Sequence, residues 1–335
     1  MNKPLTVCLT ADIEFEIRGA LSYPDRCSPA GAESVFREVC GLSQGLGALL
    51  SPLIEFNLPA TFFVESMQVV YFGLSPMQRV LRSVEAHALI DVQLHTHPCW
   101  DYLSNSNWRQ AVTHIAKNDS MAGRGVQGAT AVLAKSIDYF LQLTTRRPVA
   151  FRAGSLRVDA DLFQALADVG LLLSSTVGKG YFDPSDPVLS LWSGVARLPP
   201  VTEIPVTSYQ IGIAGKFLPK ILTITGTPLS NIIRIIEHAA RNGRGPIVFL
   251  THASEMASDI STIFEPPSYA PNLANQLRWR ELCRYLHDNR ERFTVLTLGA
   301  SDEHWMRQPA VSHPPYRGRI RDLSMFALRR LVKGI

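Results

Sequence analysis

Short apolar runs alternate along the chain with longer stretches whose apolar residues recur at helical spacing. The run "LTVCLTADIE" (5–14) predicts a first strand, and "ATFFVES" (60–66), "ALIDVQLHTH" (88–97) and "PVAFRAG" (148–154) predict three more. Later runs, "LLLSSTV" (171–177), "TEIPVT" (202–207), "PIVFLTHA" (246–253) and "FTVLTLGA" (293–300), extend the series. Between them, helical spacing covers 32–52, with Pro52 near its stop, and 75–88, with Ser75 as cap and Pro76 as first helical residue. It also covers 108–119 and 128–144 around a Gly-rich turn, 159–170 with an acidic cap and a glycine stop, and the long stretch 273–291.

This β-α order points to a β/α barrel or a parallel sheet rather than an all-β fold. No internal repeat and no linker divides the chain, and residues 178–195, rich in Gly, Pro, Ser and Asp, read as a surface loop. The expected organisation is therefore one α/β domain over 1–305, followed by a basic C-terminal extension at 306–335. In "YRGRIRDLSMFALRRLVKGI" the cations Arg317, Arg319, Arg321, Arg329, Arg330 and Lys333 face a single Asp322. Leu323, Phe326, Ala327 and Leu331 suggest an amphipathic helix there, packed on the domain with a solvated basic face or placed for peripheral contact with an anionic membrane.

Composition narrows the class. With 335 residues, 46% hydrophobic and 19% charged, the chain suits a globular protein with a large core. A formal net charge of +4 is small for this length and gives no ground for a nucleic-acid partner. The five cysteines stand singly at 8, 27, 40, 99 and 283, which argues against a disulfide framework or a zinc knuckle. The N-terminus lacks the long apolar region of a secretory signal, and no run of about 18 apolar residues occurs, so the expected location is the cytoplasm.

Candidate chemistry collects at the ends of the predicted strands. Asp12 and Glu14 close the first strand at a two-residue spacing that puts both carboxylates on one face. Two such carboxylates can divide labour, one binding a metal and the other accepting a proton from water; the bland alternative is a pair of solvated edge residues. In "HTHPCW" (95–100), His95 and His97 share a face if the strand stays extended, and Pro98 disfavours a helical conformation at His97. Cys99 would be in phase in an unbroken strand, but the proline marks a turn. The reading is two imidazole ligands with Cys99 as a nearby buried thiol, and Cys99 remains the alternative ligand, one that would make the site softer and more zinc-like.

Together these pieces resemble the polysaccharide deacetylase family, the NodB-homology or carbohydrate esterase type. "LTADIE" resembles its acidic first motif, "HTHPCW" a compressed second motif, "FRAG" (151–154) the third, and "FLTHASE" (249–255) the last, in the right order over residues 5–300. The resemblance implies a distorted, incomplete β/α barrel and a hydrolase that removes an N-acetyl group from a sugar with one divalent ion, zinc before others. It implies Asp12 as base, Arg152 as the group that steadies it, and His252 as the acid that protonates the leaving nitrogen. A strict match would put the acidic metal ligand at Ile13, which cannot coordinate, so the role moves to Glu14 with His95 and His97. Strict spacing also puts the second histidine at position 99, where local geometry favours His97 instead. A backbone N–H near Gly154 would help hold the oxyanion, and Trp100 and Tyr102, with Trp108 more remotely, would form an apolar wall for sugar. The substrate would be an N-acetylated sugar or glycan precursor; hydrolysis of a non-sugar amide, or an inactive carbohydrate-binding or scaffold protein, stands as the alternative.

Overall fold

The structure is a computed structural model that describes residues 3–112, 119–213 and 216–319. Its centre is a curled, open sheet. Six strands run parallel: β1 (Leu5–Ile13), β2 (Ala60–Glu65), β3 (Ile90–Thr96), β4 (Ala150–Ala153), β5 (Leu173–Ser174) and, beyond β6 (Gly194–Leu198), β7 (Val201–Glu203). β8 (Ile247–His252) lies on the other side of β1, also parallel, and the short strand Phe293–Val295 pairs with the start of β1. The spatial order is β8-β1-β2-β3-β4-β5-β7-β6, with Val311–Ser312 antiparallel on β6 at the far edge. β2 and β3 are buried along their whole length, because helices cover the sheet and leave neither face to water. This is the expected incomplete β/α barrel.

Closure comes from hydrogen bonds of a crossing segment instead of strand pairing. Val206 N–H donates to Val177 C=O, Thr207 N–H to Val248 C=O, Leu222 N–H to Thr207 C=O, and Leu250 N–H to Leu222 C=O. Thr207 Oγ1 in turn accepts from Val248 N–H at 2.9 Å. The sheet therefore stays mixed and open while its first and last parallel strands are tied together over the top.

Several elements differ from the pattern reading. The stretch 32–52 is not one helix: Glu33–Phe36 makes a single turn, a small hairpin pairs Glu38–Val39 with Leu42–Ser43, and Leu46–Glu55 is a second helix with Pro52 inside it. Arg37 at φ 45° and Cys40 at φ 50° turn the chain, and Gly45 then packs so closely on the first turn that a Cβ would sit 2.2 Å from Val35 C=O. Gly73, not Ser75, caps the helix Leu74–Glu85, since its φ of 69° is open to glycine; Ser75 and Pro76 fall in the first turn. Asp159 caps Ala160–Asp168 as expected, accepting from Leu162 N–H at 3.1 Å. The strand expected over 202–207 stops at Glu203, inside the sheet between β5 and β6, and Pro205 falls beyond it. The loop 178–195 holds a 3-10 turn at Pro187–Leu189 and the first residues of β6.

Between 208 and 245 the pattern reading assigns nothing, yet the chain forms an antiparallel hairpin, Ser208–Ile213 with Lys216–Ile221, and the helix Leu229–Asn242. That helix buries Ile232, Ile235, Ile236 and Ala239, a one-sided apolar spacing that the sequence does carry. Of the 108–119 helix only Trp108–Ala111 is described, and residues 113–118 lie outside the described residues. In the C-terminal extension Tyr316–Arg319 pairs with the hairpin strand Ser208–Ile213, while the expected helix at 323–331 also lies outside the described residues. No described helix is long and apolar enough to cross a membrane.

Candidate metal centre

Parallel register brings five strand ends to one place. Asp12 is level with His252 on one side and Phe63 on the other, and Glu65, His95 and Arg152 stand level across β2, β3 and β4. Ile13 is fully buried in the core, on the opposite phase from Asp12 and Glu14.

Glu14, His95 and His97 each offer a ligand atom, all within 4.8 Å of one another. Their fit to a cation follows from one buried atom. His95 Nδ1 lies 3.0 Å from Arg152 C=O, and because a carbonyl can only accept, Nδ1 carries the proton. Nε2 is then left with a lone pair, buried without a hydrogen-bond partner and pointing at Glu14 Oε2 3.5 Å away. Two acceptors facing each other in a buried pocket fit a bound cation between them. His97 is oriented in the same manner. Its Nδ1 donates to Asp119 Oδ2 at 2.6 Å, and its Nε2 reaches Glu14 Oε2 at 2.8 Å. Burial alone would raise the Glu14 pKa, but the charge of His97 and the contact with its imidazole hold it well below the usual carboxylate range. Burial works against the His97 charge too, and Glu14 and Asp119 override it, raising its pKa well above the usual imidazole range.

Cys99 belongs to the other side of His97. It forms a second group with His97 and Asp119, its backbone N–H donates to Asp119 Oδ1 at 3.2 Å, and burial pushes its thiol up to about 12. Cys99 stays within reach of His97 and Asp119 in a second candidate ligand group. All five cysteines are free.

Beside the metal group, Asp12 and Arg152 form a buried pair at 2.7 Å. Arg152 is wholly buried and held by four hydrogen bonds: Nε to Ser175 C=O, Nη1 to Thr10 Oγ1 and Asp12 Oδ1, and Nη2 to Ser175 Oγ. Its guanidinium also covers the Phe63 ring at 4.2 Å. With Oδ1 occupied, Asp12 Oδ2 faces His252 Nε2 at 3.8 Å. His252 sits at equal distance from Glu14 Oε1 and has Glu255 Oε1 3.7 Å from Nδ1. Burial would lower the His252 pKa, but Glu255, then Asp12 and Glu14, outweigh it and push it up to about 9.

Three residues that the pattern reading did not single out shape this centre. Asp119 was placed only as the last residue of a helix, and nothing in its spacing ties it to His97. Glu65 ends β2 fully buried and accepts from Met67 N–H at 2.6 Å and from His97 N–H, which fixes the backbone under the ligand. An acidic residue at a parallel-strand end is a visible signal. Glu255, three residues after His252 in "THASE", was equally visible and is fixed by Thr251 Oγ1 at 2.8 Å. Gly154 has a steric part as well: a Cβ there would lie 2.5 Å from three atoms of the His97 ring, so the glycine leaves room for the imidazole.

The centre opens into a cleft of about 750 Å³ lined by Asp12, Glu14, His95, His97 and His252, and farther out by Leu156, Tyr181, Lys220, Asn275 and Arg278. The expected aromatic wall is elsewhere. Trp100 is only 1% exposed and packs edge-on against Phe72, Trp108 is buried against Tyr71, and half-buried Tyr102 is not among the residues of this cleft. The 3-10 turn Pro98–Leu103 after the ligands carries Trp100 into the core, leaving Tyr181, 62% exposed, as the aromatic lining this cleft.

Comparison with protein-family models and with curated proteins gives no match. Solved structures do match. A Mycobacterium smegmatis protein named as a polysaccharide deacetylase aligns over 94% of this chain and 96% of its own, with 17% identity and a TM-score of 0.50. The 4-α-glucanotransferase of Thermococcus litoralis aligns over 96% of this chain and 42% of its own, with 9% identity and a TM-score of 0.51. A family 4 carbohydrate esterase from Streptomyces lividans covers 94% of this chain and all of its own at 13% identity, with a TM-score of 0.41. At these identities the likeness is one of architecture: the chain has the open β/α barrel shared by a polysaccharide deacetylase and a glucanotransferase.

Proposed function

We propose that the protein is a metal-dependent hydrolase that removes the N-acetyl group from a sugar. The observation that carries this reading is the buried, unpartnered Nε2 of His95, converging with His97 and Glu14 beside an arginine-bound aspartate. Two imidazole nitrogens and one carboxylate oxygen suit zinc and leave room for further ligands. When bound, the ion lowers the pKa of water and offsets negative charge on the acetyl carbonyl oxygen.

The residues of the chain divide the remaining work. Asp12 Oδ2, the oxygen not bound by Arg152, takes the proton of the attacking water. Arg152 fixes that carboxylate through the Nη1–Oδ1 hydrogen bond at 2.7 Å. His252, held by Glu255 on the far side of the ring, donates a proton to the departing amine nitrogen as the C–N bond breaks, giving acetate and the free amino sugar. The fold resemblance and the order of the four motifs support a sugar substrate.

The test is acetate release from a panel of N-acetylated sugars and sugar nucleotides, with and without a chelator. Turnover that the chelator abolishes and added zinc restores is the expected result. Release only from simple amides would assign a different substrate, and glycan binding without turnover on any substrate would make the protein a binding module.

A further inference from the structure

The cleft is lined by the carboxylates of Asp12, Glu14 and Glu255 and by the cations Lys220 and Arg278. Both cations flank the crossing segment 221–225, Lys220 preceding it in sequence and Arg278 donating through Nη1 to Ile224 C=O and, at 3.2 Å, to Asn275 Oδ1. Asn275 is itself fixed by Thr225 Oγ1 at 3.0 Å and Glu255 C=O at 2.8 Å, so the guanidinium is held in place by neutral acceptors. Among the described residues Arg278 has no carboxylate within 4 Å, although it is half-buried. Partial burial costs a cation solvation and lowers its pKa, and the charge of Glu255 acts on it only at longer range. A preorganised guanidinium with Nε and Nη2 uncommitted matches the fork geometry of a phosphate or carboxylate.

Resting on the deacetylase reading above, we propose that the substrate is an anionic N-acetyl sugar, whose phosphate or carboxylate oxyanion is received by Arg278 while the acetyl group lies at the metal end. Arg278 is then a specificity residue, not a catalytic one. The test pairs equilibrium binding with kinetics on N-acetylglucosamine, N-acetylglucosamine 1-phosphate and N-acetylneuraminic acid, using wild type, Arg278→Gln and Arg278→Lys. Wild type should prefer one or both anionic sugars by roughly 10–100-fold over the neutral one, the range for a charge-assisted hydrogen-bonded contact. Preference for the phosphate or for the carboxylate identifies the source of the oxyanion. That preference should weaken with added salt and fall towards unity in Arg278→Gln, with Arg278→Lys intermediate and metal content unchanged in all variants. Equal affinity and kcat/KM for neutral and anionic sugars in wild type would overturn the proposal and leave the deacetylase reading standing. Arg278-dependent anion binding with no acetate release would do the reverse. If Arg278→Gln misfolds, Arg278→Lys and the salt dependence of wild type still decide.

Discussion

Asp12 and Glu14 are two residues apart and chemically alike, yet their surroundings separate them. Asp12 is bonded to Arg152 and lies outside the three-ligand group, whereas Glu14 faces both imidazoles. Asp12→Asn should therefore retain metal and lose turnover by roughly 10²–10⁴-fold, the range for a lost acid-base group. Metal analysis and steady-state kinetics on the same preparation check this, and normal turnover would remove Asp12 from the chemistry. Asp119→Asn tests the positioning of His97. Replacing the carboxylate that accepts from Nδ1 should weaken metal affinity by about 10–100-fold, the usual cost of losing such a partner, as read by competition with a chromogenic chelator. Unchanged affinity would mean that packing alone orients the ring. At this scale most of the centre was legible, because strand phase alone separates Asp12 and Glu14 from Ile13. Asp119 was not, since it reaches His97 through a loop that no periodicity records.

Elements explain why the legible residues meet and why the aromatic ones do not. Strands have a period of two, so the parallel register carries Asp12, His95, Arg152 and His252 to one rim once the strands are identified. The turn after β3 has no such rule. Pro98 starts a 3-10 turn, and that geometry sends Trp100 inward. The stretch 32–52 misleads for a related reason: its apolar spacing fits a helix, but left-handed Arg37 and Cys40 and the close approach at Gly45 break it. The loop after β4 offers a sharp test. Gly154→Ala places a methyl group against the His97 ring, so it should cost most of the bound metal while circular dichroism stays native. Full metal occupancy in Gly154→Ala would show that the ring has room to move and still bind.

The whole molecule is an open sheet whose two ends are joined by the segment 206–223. Thr207 is the main tie, since its N–H and its Oγ1 both bond β8. Thr207→Val keeps the shape and removes the acceptor of a buried Val248 N–H, so urea unfolding should show a loss of about 1–3 kcal/mol. No loss would mean that the sheet does not depend on this closure. The pattern of strands and helices made the barrel legible, but the closure was not, because isolated hydrogen bonds between irregular segments leave no periodic trace. Residues next to the closure, Ile221 and Thr223, line the cleft that also holds the metal ligands.

The central claim is that Glu14, His95 and His97 hold one divalent ion. It is tested most directly by elemental analysis of wild type, Glu14→Ala and Cys99→Ser, each purified without chelators and loaded with zinc. The account predicts about one equivalent per chain in wild type and in Cys99→Ser, and its loss in Glu14→Ala. Full occupancy in Glu14→Ala, or loss in Cys99→Ser alone, would contradict it.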